Sequence, residues 1–265
     1  MQHWRASGRT TIERIRLDDG GAVICKRREG APASFFASEA DGLRRLAEVP
    51  GGLRVPQVYA QSGDRLLLED LGRGRARPCD WETAGRALAQ VHAQAAAYFG
   101  LETDGWCGDS AQDNTRATNG HAFYAQRRLL PQLQRARDAG LLTRADASAI
   151  EGIAVRLPEL LPLAPAVLLH GDLWLGNLHA CADGRIALID AAAVHYGWAE
   201  ADLAMTTLFG SPPAAFYAAY AEASGCQEDW IERAPLLNLY HLLNHLNLFG
   251  SGYLSAVRQV LSRFA

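Results

Sequence analysis

One eight-residue segment constrains this chain more than any other feature of its sequence. Residues 170–177 read His-Gly-Asp-Leu-Trp-Leu-Gly-Asn, and Asp190 ends an apolar run a short distance downstream. The spacing His-x-Asp-Leu-x-x-x-Asn is typical of a loop in which the aspartate accepts a hydroxyl proton and the asparagine holds a metal ion. The segment therefore predicts phosphoryl transfer, with Asp172 as the base and with Asn177 and Asp190 as metal ligands. His170 completes the predicted catalytic set by holding the loop.

The surroundings of this segment support that interpretation. Residues 166–169 form an apolar strand that leads into the loop, residues 185–189 form a second one, and a turn at 182–184 joins the two segments. We expect the three side chains that handle the proton and the metal to converge at one end of a hairpin. The alternative is an ordinary loop, since Asp and Asn are common turn residues. It does not explain why all three lie beside strands that would bury their backbones.

The size and composition of the chain exclude several classes of protein. Its 265 residues, 49% of them hydrophobic, are enough for one large domain or for two lobes with real cores. The net charge of −3 and the scattered arginines predict no nucleic-acid partner. There is no run of about 18 apolar residues, so no membrane span is predicted. The five widely spaced cysteines form no Cys-x-x-Cys pair, and we therefore expect reduced thiols and a cytoplasmic protein.

The first 70 residues are predicted to form a small β-rich lobe with one helix. Short alternating segments and turn residues indicate hairpins, and Ser34 can cap a helix. The predicted elements are a strand at 10–17, a turn at 18–21, a strand at 22–27, a helix at 34–48, and strands at 58–61 and 65–68. Residues 69–74 are the predicted hinge to the rest of the chain.

Residues 71–265 are predicted to form a larger, mostly helical lobe, because apolar residues recur there at helical spacing. The predicted helices are 81–98, 121–138, 143–157, 202–209, 214–222 and 228–249. Pro131 should kink or break the second of them. Together, the two parts predict an α+β fold of two lobes, similar to that of the protein kinases, with Mg-ATP bound between them.

A lysine and a glutamate in the small lobe are the candidates for holding the nucleotide phosphates. Lys26 ends the return strand of the hairpin, and Glu39 follows 13 residues later in the next helix. Kinases pair a strand lysine with a helix glutamate, which orients the lysine toward the α- and β-phosphates. The alternative is a solvated strand-end lysine and a surface glutamate. Arg27 and Arg28 are adjacent candidates for the phosphate contact.

The remaining nucleotide contacts are less well marked in the sequence. Residues 7–10, Ser-Gly-Arg-Thr, are the one candidate for a loop that covers the phosphates, although they lack the pattern Gly-x-Gly-x-x-Gly. Short loops can still donate backbone N–H groups to phosphate. The adenine is expected to bond the backbone between Glu69 and Leu71.

Three further residues have two interpretations each. Trp174, between the base and the amide of the loop, contacts a sugar ring or a cationic amine, or else packs the loop against a lobe. Asp202 braces the backbone of the catalytic loop, or else caps a helix. His92, on a predicted helix, is interpreted as a packed core histidine.

These residues together resemble the fructosamine/ketosamine kinase family, which belongs to the same broad group as the aminoglycoside and choline kinases. The resemblance extends along most of the chain. It is carried by Phe35–Ala40, His170–Asn177, Asp202–Met205, Leu208–Gly210 and Tyr240–Gly250. The tryptophan after His-Gly-Asp-Leu and the C-terminal block separate this family from the aminoglycoside kinases.

The resemblance implies an ATP- and Mg²⁺-dependent kinase that phosphorylates the sugar 3-hydroxyl of ketoamines and thereby promotes deglycation. Its partner would be a small ketoamine or glycated amine, and we expect a monomer. Two departures from the family pattern are visible. Asp190 is followed by Ala-Ala instead of Pro-Ala, and no cysteine precedes Cys25, so we predict no redox-sensitive intersubunit disulfide.

Two other functions remain open from the sequence. The first keeps the chemistry but takes an aminoglycoside, choline or simple sugar as the acceptor. An aminoglycoside site should be rich in acidic residues, and the C-terminal part offers Glu200, Glu222, Glu228, Asp229 and Glu232. The second is a nucleotide-binding scaffold without turnover, which the retained Asp172, Asn177 and Asp190 disfavour.

Overall fold

The N-terminal part of the chain is built on one antiparallel sheet. The structure is a computed structural model that describes the backbone of residues 2–5 and the whole of residues 10–265. The strands are β1 (Gln2–Arg5), β2 (Thr11–Arg16), β3 (Ala22–Arg27), β4 (Val58–Gln61) and β5 (Arg65–Glu69), in the order β1-β2-β3-β5-β4. Helix α1 (Ser34–Ala47) buries Phe36, Leu43 and Leu46, which lie one helical turn or two apart. The predicted hairpin of β2 and β3 is confirmed.

The C-terminal part is mainly helical, with three small sheets. Its helices are α2 (Pro78–His92), α3 (Gly120–Phe123), α4 (Leu130–Asp138), α5 (Arg144–Leu160), α6 (Ala199–Met205), α7 (Ala214–Ser224), α8 (Trp230–Leu237), α9 (Leu239–Phe249) and α10 (Leu254–Phe264). Its strands are β6 (Ala95–Ala96), β7 (Gly105–Cys107), β8 (Ser110–Gln112), β9 (Ala166–Leu169), β10 (Leu178–Ala180), β11 (Ile186–Leu188) and β12 (His195–Gly197). The predicted α+β architecture is therefore confirmed.

The predicted hairpin around the catalytic loop is wrong in its pairing. Strand β9 lies between β12 and β6, whereas β11 pairs with β10. All four residues of β9 are buried, so this strand fills the centre of its own sheet. The three-residue strand β10 is too short to show a periodic pattern, and it takes the place beside β11 that the prediction gave to β9. The turn at 182–184 joins β10 to β11.

One predicted helix ends earlier than expected, and another is two separate helices. Helix α2 stops at His92, because the carbonyl of Gln94 accepts a hydrogen bond from the N–H of Leu168 at 2.9 Å and the next residues pair with β9. The predicted helix 228–249 is two helices, α8 and α9, that meet at Asn238. The Asn238 amide donates to the carbonyl of Ala204 at 2.8 Å, which anchors the junction to the end of α6.

Pro131 distorts its helix without ending it. The six residues Tyr124–Leu129 form a π-helical turn immediately before the proline, between α3 and α4. Proline lacks an N–H, and its ring crowds the carbonyl four residues earlier, so a wider turn accommodates it. The turn carries Arg128, which is fully buried and donates to the carbonyl of Asp113 at 2.6 Å.

Contacts between the N-terminal and the C-terminal part of the chain lie next to the predicted hinge. Arg54 pairs with Glu69 at 2.5 Å and with Asp183 at 2.8 Å, so one guanidinium joins the end of β5 to the turn between β10 and β11. The carbonyl of Arg54 also accepts a hydrogen bond from the N–H of Leu188 at 2.8 Å. The division of the chain into lobes at 1–70 and 71–265 stays a prediction.

Within the described residues, none of the helices has both the length and the apolar character needed to cross a membrane.

Candidate active site

The carboxylate of Asp202 fixes the start of the catalytic loop. It accepts hydrogen bonds from the backbone N–H groups of His170 at 2.7 Å and Gly171 at 2.9 Å, and it is almost fully buried. Asp202 lies inside α6, whose N-cap is Trp198, so the bracing interpretation is confirmed and the capping one is wrong. His92 is a packed core histidine as predicted, and its Nε2 lies 3.4 Å from Asp202 Oδ2.

His170 joins the catalytic loop to the strand that carries Asp190. Its Nε2 donates to the carbonyl of Ile189 at 2.9 Å, and its Nδ1 accepts from the N–H of Asp172 at 3.3 Å. These partners require the neutral ring, and burial lowers the pKa of His170 accordingly. Because the ring is fully buried between two backbone groups, His170 is a positioning residue that holds the loop.

Gly171 is required by the backbone at this point of the loop. Its φ is +81°, and a Cβ built there would lie 2.1 Å from the carbonyl oxygen of Ala193. Any side chain would therefore push the loop away from the segment after Asp190. The motif has glycine here because two backbone segments meet at this residue.

Asp172 faces the cavity beside the loop. Its side chain retains 22% exposure. Burial, together with the negative charge of Asp202, raises the pKa of Asp172 to about 7. A carboxylate with such a pKa can take a proton from a hydroxyl near neutral pH more readily than an ordinary aspartate.

Asn177 and Asp190 present oxygen ligands on adjoining segments. The Asn177 amide donates to the carbonyl of Asp172 at 2.8 Å, and the carbonyl of Asn177 accepts from the N–H of Ile189 at 3.1 Å. Among the described residues, Asp190 is the one non-glycine residue with positive φ, at 59°. A left-handed backbone conformation costs free energy at a non-glycine residue. It persists where the surrounding structure holds it, as at functional sites.

Lys26 is buried between two carboxylates. Its Nζ contacts Glu39 Oε1 at 2.5 Å and also donates to Asp190 Oδ1. The ion pair with Glu39 is therefore present, and the solvated-lysine alternative is wrong, since Lys26 is 8% exposed. Arg27 is exposed, and Arg28 is paired with Asp109 at 2.5 Å. Neither arginine therefore occupies the position of Lys26 between the two carboxylates.

Helix α1 packs against the residue that follows Asp190. A Cβ at Gly42 would lie 1.9 Å from the carbonyl oxygen of Ala191. This contact sets the distance between the helix that carries Glu39 and the segment that carries Asp190. The Ala-Ala sequence after Asp190 retains a buried, close-packed backbone at this position.

Gly42→Ala should lower both stability and turnover, because the added methyl forces α1 away from Ala191. Overpacking of this kind typically costs about 1–3 kcal/mol. Thermal denaturation and kcat/KM for ATP measure the two effects. Gly152→Ala is the control, because Gly152 is exposed in α5 with open space around it, and alanine there should leave stability equal or slightly higher. Equal behaviour of the two variants would contradict this account.

The predicted adenine site lies at the end of β5. The Glu69 side chain is held by Arg54 and by the N–H of Gln57 at 3.2 Å, and the Glu69 N–H donates to the carbonyl of Gln57 at 2.9 Å. The carbonyl of Leu71 accepts from the N–H of Ala182 at 3.0 Å. No bond from the Leu71 N–H to another described residue is observed, and this donor remains available. Residues 7–9 of the predicted phosphate-covering loop lie outside the described residues.

A cavity of about 390 Å³ opens beside Asp172. Its walls are largely aromatic, and they include Trp174, Phe209, Phe249 and Tyr253. Trp174 is 37% exposed, and its ring stands edge-on to Phe209 with the centroids 6.3 Å apart. A cavity of this shape can hold a small molecule against the base.

The sequence interpretation named Trp174 but missed the other aromatic walls. Three of the missed residues recur at four-residue spacing, namely His245, Phe249 and Tyr253, and Phe209 completes the group. That spacing was a usable signal for His245 and Phe249, because residues four apart share one face of a helix, whereas Tyr253 lies beyond the end of α9. The partly exposed Phe209 and Phe249 are a second signal, although one that only the structure supplies.

Comparison with known proteins gives a consistent result over nearly the whole chain. A family model described as fructosamine kinase matches residues 7–265. A probable ketoamine kinase of Synechocystis is 38% identical over 258 residues, which cover 93% of this chain and 84% of that protein. The chloroplastic protein-ribulosamine 3-kinase of Arabidopsis thaliana is 32% identical over 258 residues, covering 93% of this chain and 77% of that one.

Solved structures agree with the sequence comparisons. A Thermobifida fusca crystal structure that carries the name fructosamine-3-kinase superposes with a TM-score of 0.91 and 36% identity, covering 98% of this chain and 91% of that one. An aminoglycoside phosphotransferase in a ternary complex with streptomycin and ATP has a TM-score of 0.63 at 15% identity. At that identity the likeness shows the fold alone, which is the predicted protein-kinase-like one.

Proposed function

Because the chain belongs to the fructosamine kinase family, we propose that it transfers the γ-phosphoryl group of ATP to a sugar hydroxyl of a ketoamine. Its relatives named as ketoamine and protein-ribulosamine kinases support a ketosamine acceptor. The 3-hydroxyl is the proposed target, and phosphorylation there would promote loss of the sugar from the amine. The observation that carries the proposal is Asp172, which faces both the aromatic cavity and the segment that bears Asn177.

The proposed roles follow from the contacts of each side chain. Lys26, oriented by Glu39, contacts the α- and β-phosphates, and the backbone at Glu69 and Leu71 bonds the adenine. Asn177 and Asp190 hold Mg²⁺, for which their amide and carboxylate oxygens are suitable hard donors. The ion, when bound, neutralises charge on the phosphates. His170 and Asp202 act on the loop and not on the substrate.

Asp172 orients the acceptor and receives its proton. With the ketoamine in the aromatic cavity, the hydroxyl donates to the Asp172 carboxylate, and its oxygen points toward the nucleotide between the lobes. Phosphoryl transfer depends mainly on such positioning and on charge stabilisation. The base takes the proton as the bond to phosphorus forms.

The cavity walls suit a ketoamine better than a free sugar. A ketoamine carries a secondary ammonium beside its sugar, and a cation over the face of an aromatic ring is stabilised by about 0.5–2 kcal/mol. Trp174 and Phe209 present such faces next to Asp172. The sugar ring can pack on the same surfaces through its C–H groups.

A fructosyl- or ribulosyl-amine should be phosphorylated with a kcat/KM about 2- to 30-fold above that of the matching free sugar, since the free sugar lacks the ammonium. The measurement incubates the protein with Mg-ATP and each acceptor and follows phosphorylation by mass spectrometry. Breakdown of the phosphorylated ketoamine with release of the free amine identifies the sugar as the acceptor. Equal turnover of the free sugar would contradict the ketosamine acceptor while leaving the kinase activity in place.

The aminoglycoside alternative finds little support in the cavity. Asp172 is the one carboxylate among the described residues that line it. The acidic residues of the C-terminal part that the sequence singled out, such as Glu200 and Glu228, lie elsewhere. The scaffold alternative is disfavoured because the Asn177 amide bonds the Asp172 carbonyl and the Asn177 carbonyl bonds the N–H of Ile189, next to Asp190. Monomeric state and cytoplasmic location stay predictions.

A further inference from the structure

Three side chains from separate elements meet beside the acceptor cavity, and two of them, Cys107 and Asp172, line it. Cys107 ends β7, His241 lies on α9, and Asp172 is the proposed base. One ligand atom from each lies within 4.8 Å of the other two. His241 Nδ1 is 3.9 Å from Cys107 Sγ and 3.9 Å from Asp172 Oδ1. No role in phosphoryl transfer has been given to Cys107 or His241.

The spacing of these atoms is close to that of a zinc site. Zn–S bonds of about 2.3 Å and Zn–N or Zn–O bonds of about 2.0–2.1 Å place tetrahedral ligands roughly 3.3–3.6 Å apart. The two separations from His241 exceed this by about 0.3–0.6 Å, and the separation between Cys107 and Asp172 is at most 4.8 Å. Small rotations of the Cys107 and Asp172 side chains would close the gap without moving β7 or α9.

The donor set distinguishes this site from the magnesium pair. Asn177 and Asp190 offer oxygen atoms alone, which suit Mg²⁺. A thiolate and an imidazole favour Zn²⁺ and related borderline-soft ions, and Mg²⁺ binds such donors poorly. The Asn177 amide bonds the backbone carbonyl of Asp172 at 2.8 Å, whereas His241 lies 3.9 Å from its carboxylate.

Charge and access also favour a divalent ion here. A thiolate and a carboxylate would together neutralise a +2 ion in this buried place, where an unpaired charge is costly. The amide of Asn244 donates to Cys107 Sγ at 3.3 Å and to the Cys107 carbonyl at 3.1 Å, which holds the sulfur in place. Both Cys107 and Asp172 line the 390 Å³ cavity, so an ion and a fourth water ligand can enter from solvent.

We propose that Cys107, His241 and Asp172 form a Zn²⁺ site that blocks the base when it is occupied. Binding forms a Zn–S bond and releases the thiol proton to water, with no change in oxidation state. The inhibitory consequence rests on the proposed function, because it requires Asp172 to be the base. The binding itself does not depend on it.

The binding is tested with metal alone, on the full chain without nucleotide. Co²⁺ replaces Zn²⁺ as a coloured probe, and a thiolate ligand gives a charge-transfer band in the near ultraviolet. We expect one equivalent of Co²⁺ to produce this band and Zn²⁺ to remove it. A large excess of Mg²⁺ should leave it unchanged. Absence of the band, or its loss to Mg²⁺, would overturn the proposal.

Variants then assign the ligands. Cys107→Ser should abolish the band, and His241→Asn should weaken Co²⁺ binding at least about tenfold, in line with loss of a metal ligand. Cys79→Ser is the matched control, because Cys79 is an exposed thiol outside the cavity and should bind as the wild type does. A band that persists in Cys107→Ser but is lost in Cys79→Ser would place the metal on the surface thiol.

A measurement on the unaltered protein covers the case in which a variant does not fold. Zn²⁺ should slow alkylation of Cys107 at least about tenfold while leaving Cys79 reactive, as followed by peptide mass spectrometry. Equal alkylation of Cys107 with and without Zn²⁺ would overturn the site. If the band and the protection are present but the protein transfers no phosphate, the metal site stands and the proposed function fails.

Discussion

Replacing Asp172 with asparagine should lower kcat for phosphoryl transfer by about 10²–10⁴-fold while the protein still binds Mg-ATP. Asparagine keeps the shape of the side chain but cannot take the acceptor proton. The nucleotide contacts proposed for Lys26 and Asp190 do not involve this carboxylate. Single-turnover transfer measures the chemistry, and calorimetry with Mg-ATP measures the binding.

The pH dependence of the wild-type protein is a second test of Asp172 as the proton acceptor. The pKa of Asp172 is raised to about 7, first by burial and then by the charge of Asp202. The ionised form is the base, so kcat/KM for the acceptor should rise as pH increases through about 7. The rise should be absent in Asp172→Asn. An unchanged kcat in the variant, or a flat wild-type profile, would assign proton acceptance to another group.

The same substitution should stabilise the fold. A carboxyl whose pKa is raised in the folded protein costs stability as pH increases from its unfolded value of about 4 through about 7. Asparagine removes that cost, so the variant should melt higher than the wild type at about pH 8, and the difference should vanish below about pH 4. Higher stability with lost transfer is the pattern expected when a group is retained for chemistry.

Much of this site could be predicted from the sequence because its chemistry lies in short local segments. His170 to Asn177 specify the loop by spacing alone. The buried run at Ala166–Leu169 has four apolar residues in a row, and its strand was predicted with the correct bounds. Lys26 and Glu39 were linked by a known arrangement of a strand and the helix that follows it.

What the sequence could not supply was long-range pairing. Strands β10 and β12 have three residues each, too few to show a period, and β12 pairs with β9 across the whole β10–β11 hairpin. The aromatic cavity depends on Phe209 meeting the outer face of α9, which is decided by tertiary packing. The spacing of His245 and Phe249 places both residues on one face of α9, but it does not indicate what that face packs against. The same packing brings His241 to Cys107.

Lys26→Ala should lower kcat/KM for ATP by about 10²–10³-fold, which is typical of removing one donor that stabilises charge in a transition state. It should also lower the melting temperature. Lys26 is buried with Glu39 and Asp190 on its Nζ, and its removal leaves two carboxylates facing each other. Removing one partner of a buried ion pair costs about 3–5 kcal/mol, and the cost here should be smaller because the Asp190 side chain is 43% exposed.

Arg27→Ala is the control for Lys26→Ala, because Arg27 is the next residue of β3 and carries the same charge on the exposed face. Successive side chains of a strand point to opposite faces of the sheet. The two substitutions therefore test which face contacts the phosphates, and not only the effect of removing a positive charge. Arg27→Ala should leave the melting temperature and kcat/KM for ATP near the wild-type values. If Arg27→Ala lost activity and Lys26→Ala kept it, the phosphate contact would lie on the other face of β3. Recovery of stability in the double variant Lys26→Met/Glu39→Gln, without recovery of activity, would separate the structural role of the ion pair from the phosphate contact of Lys26.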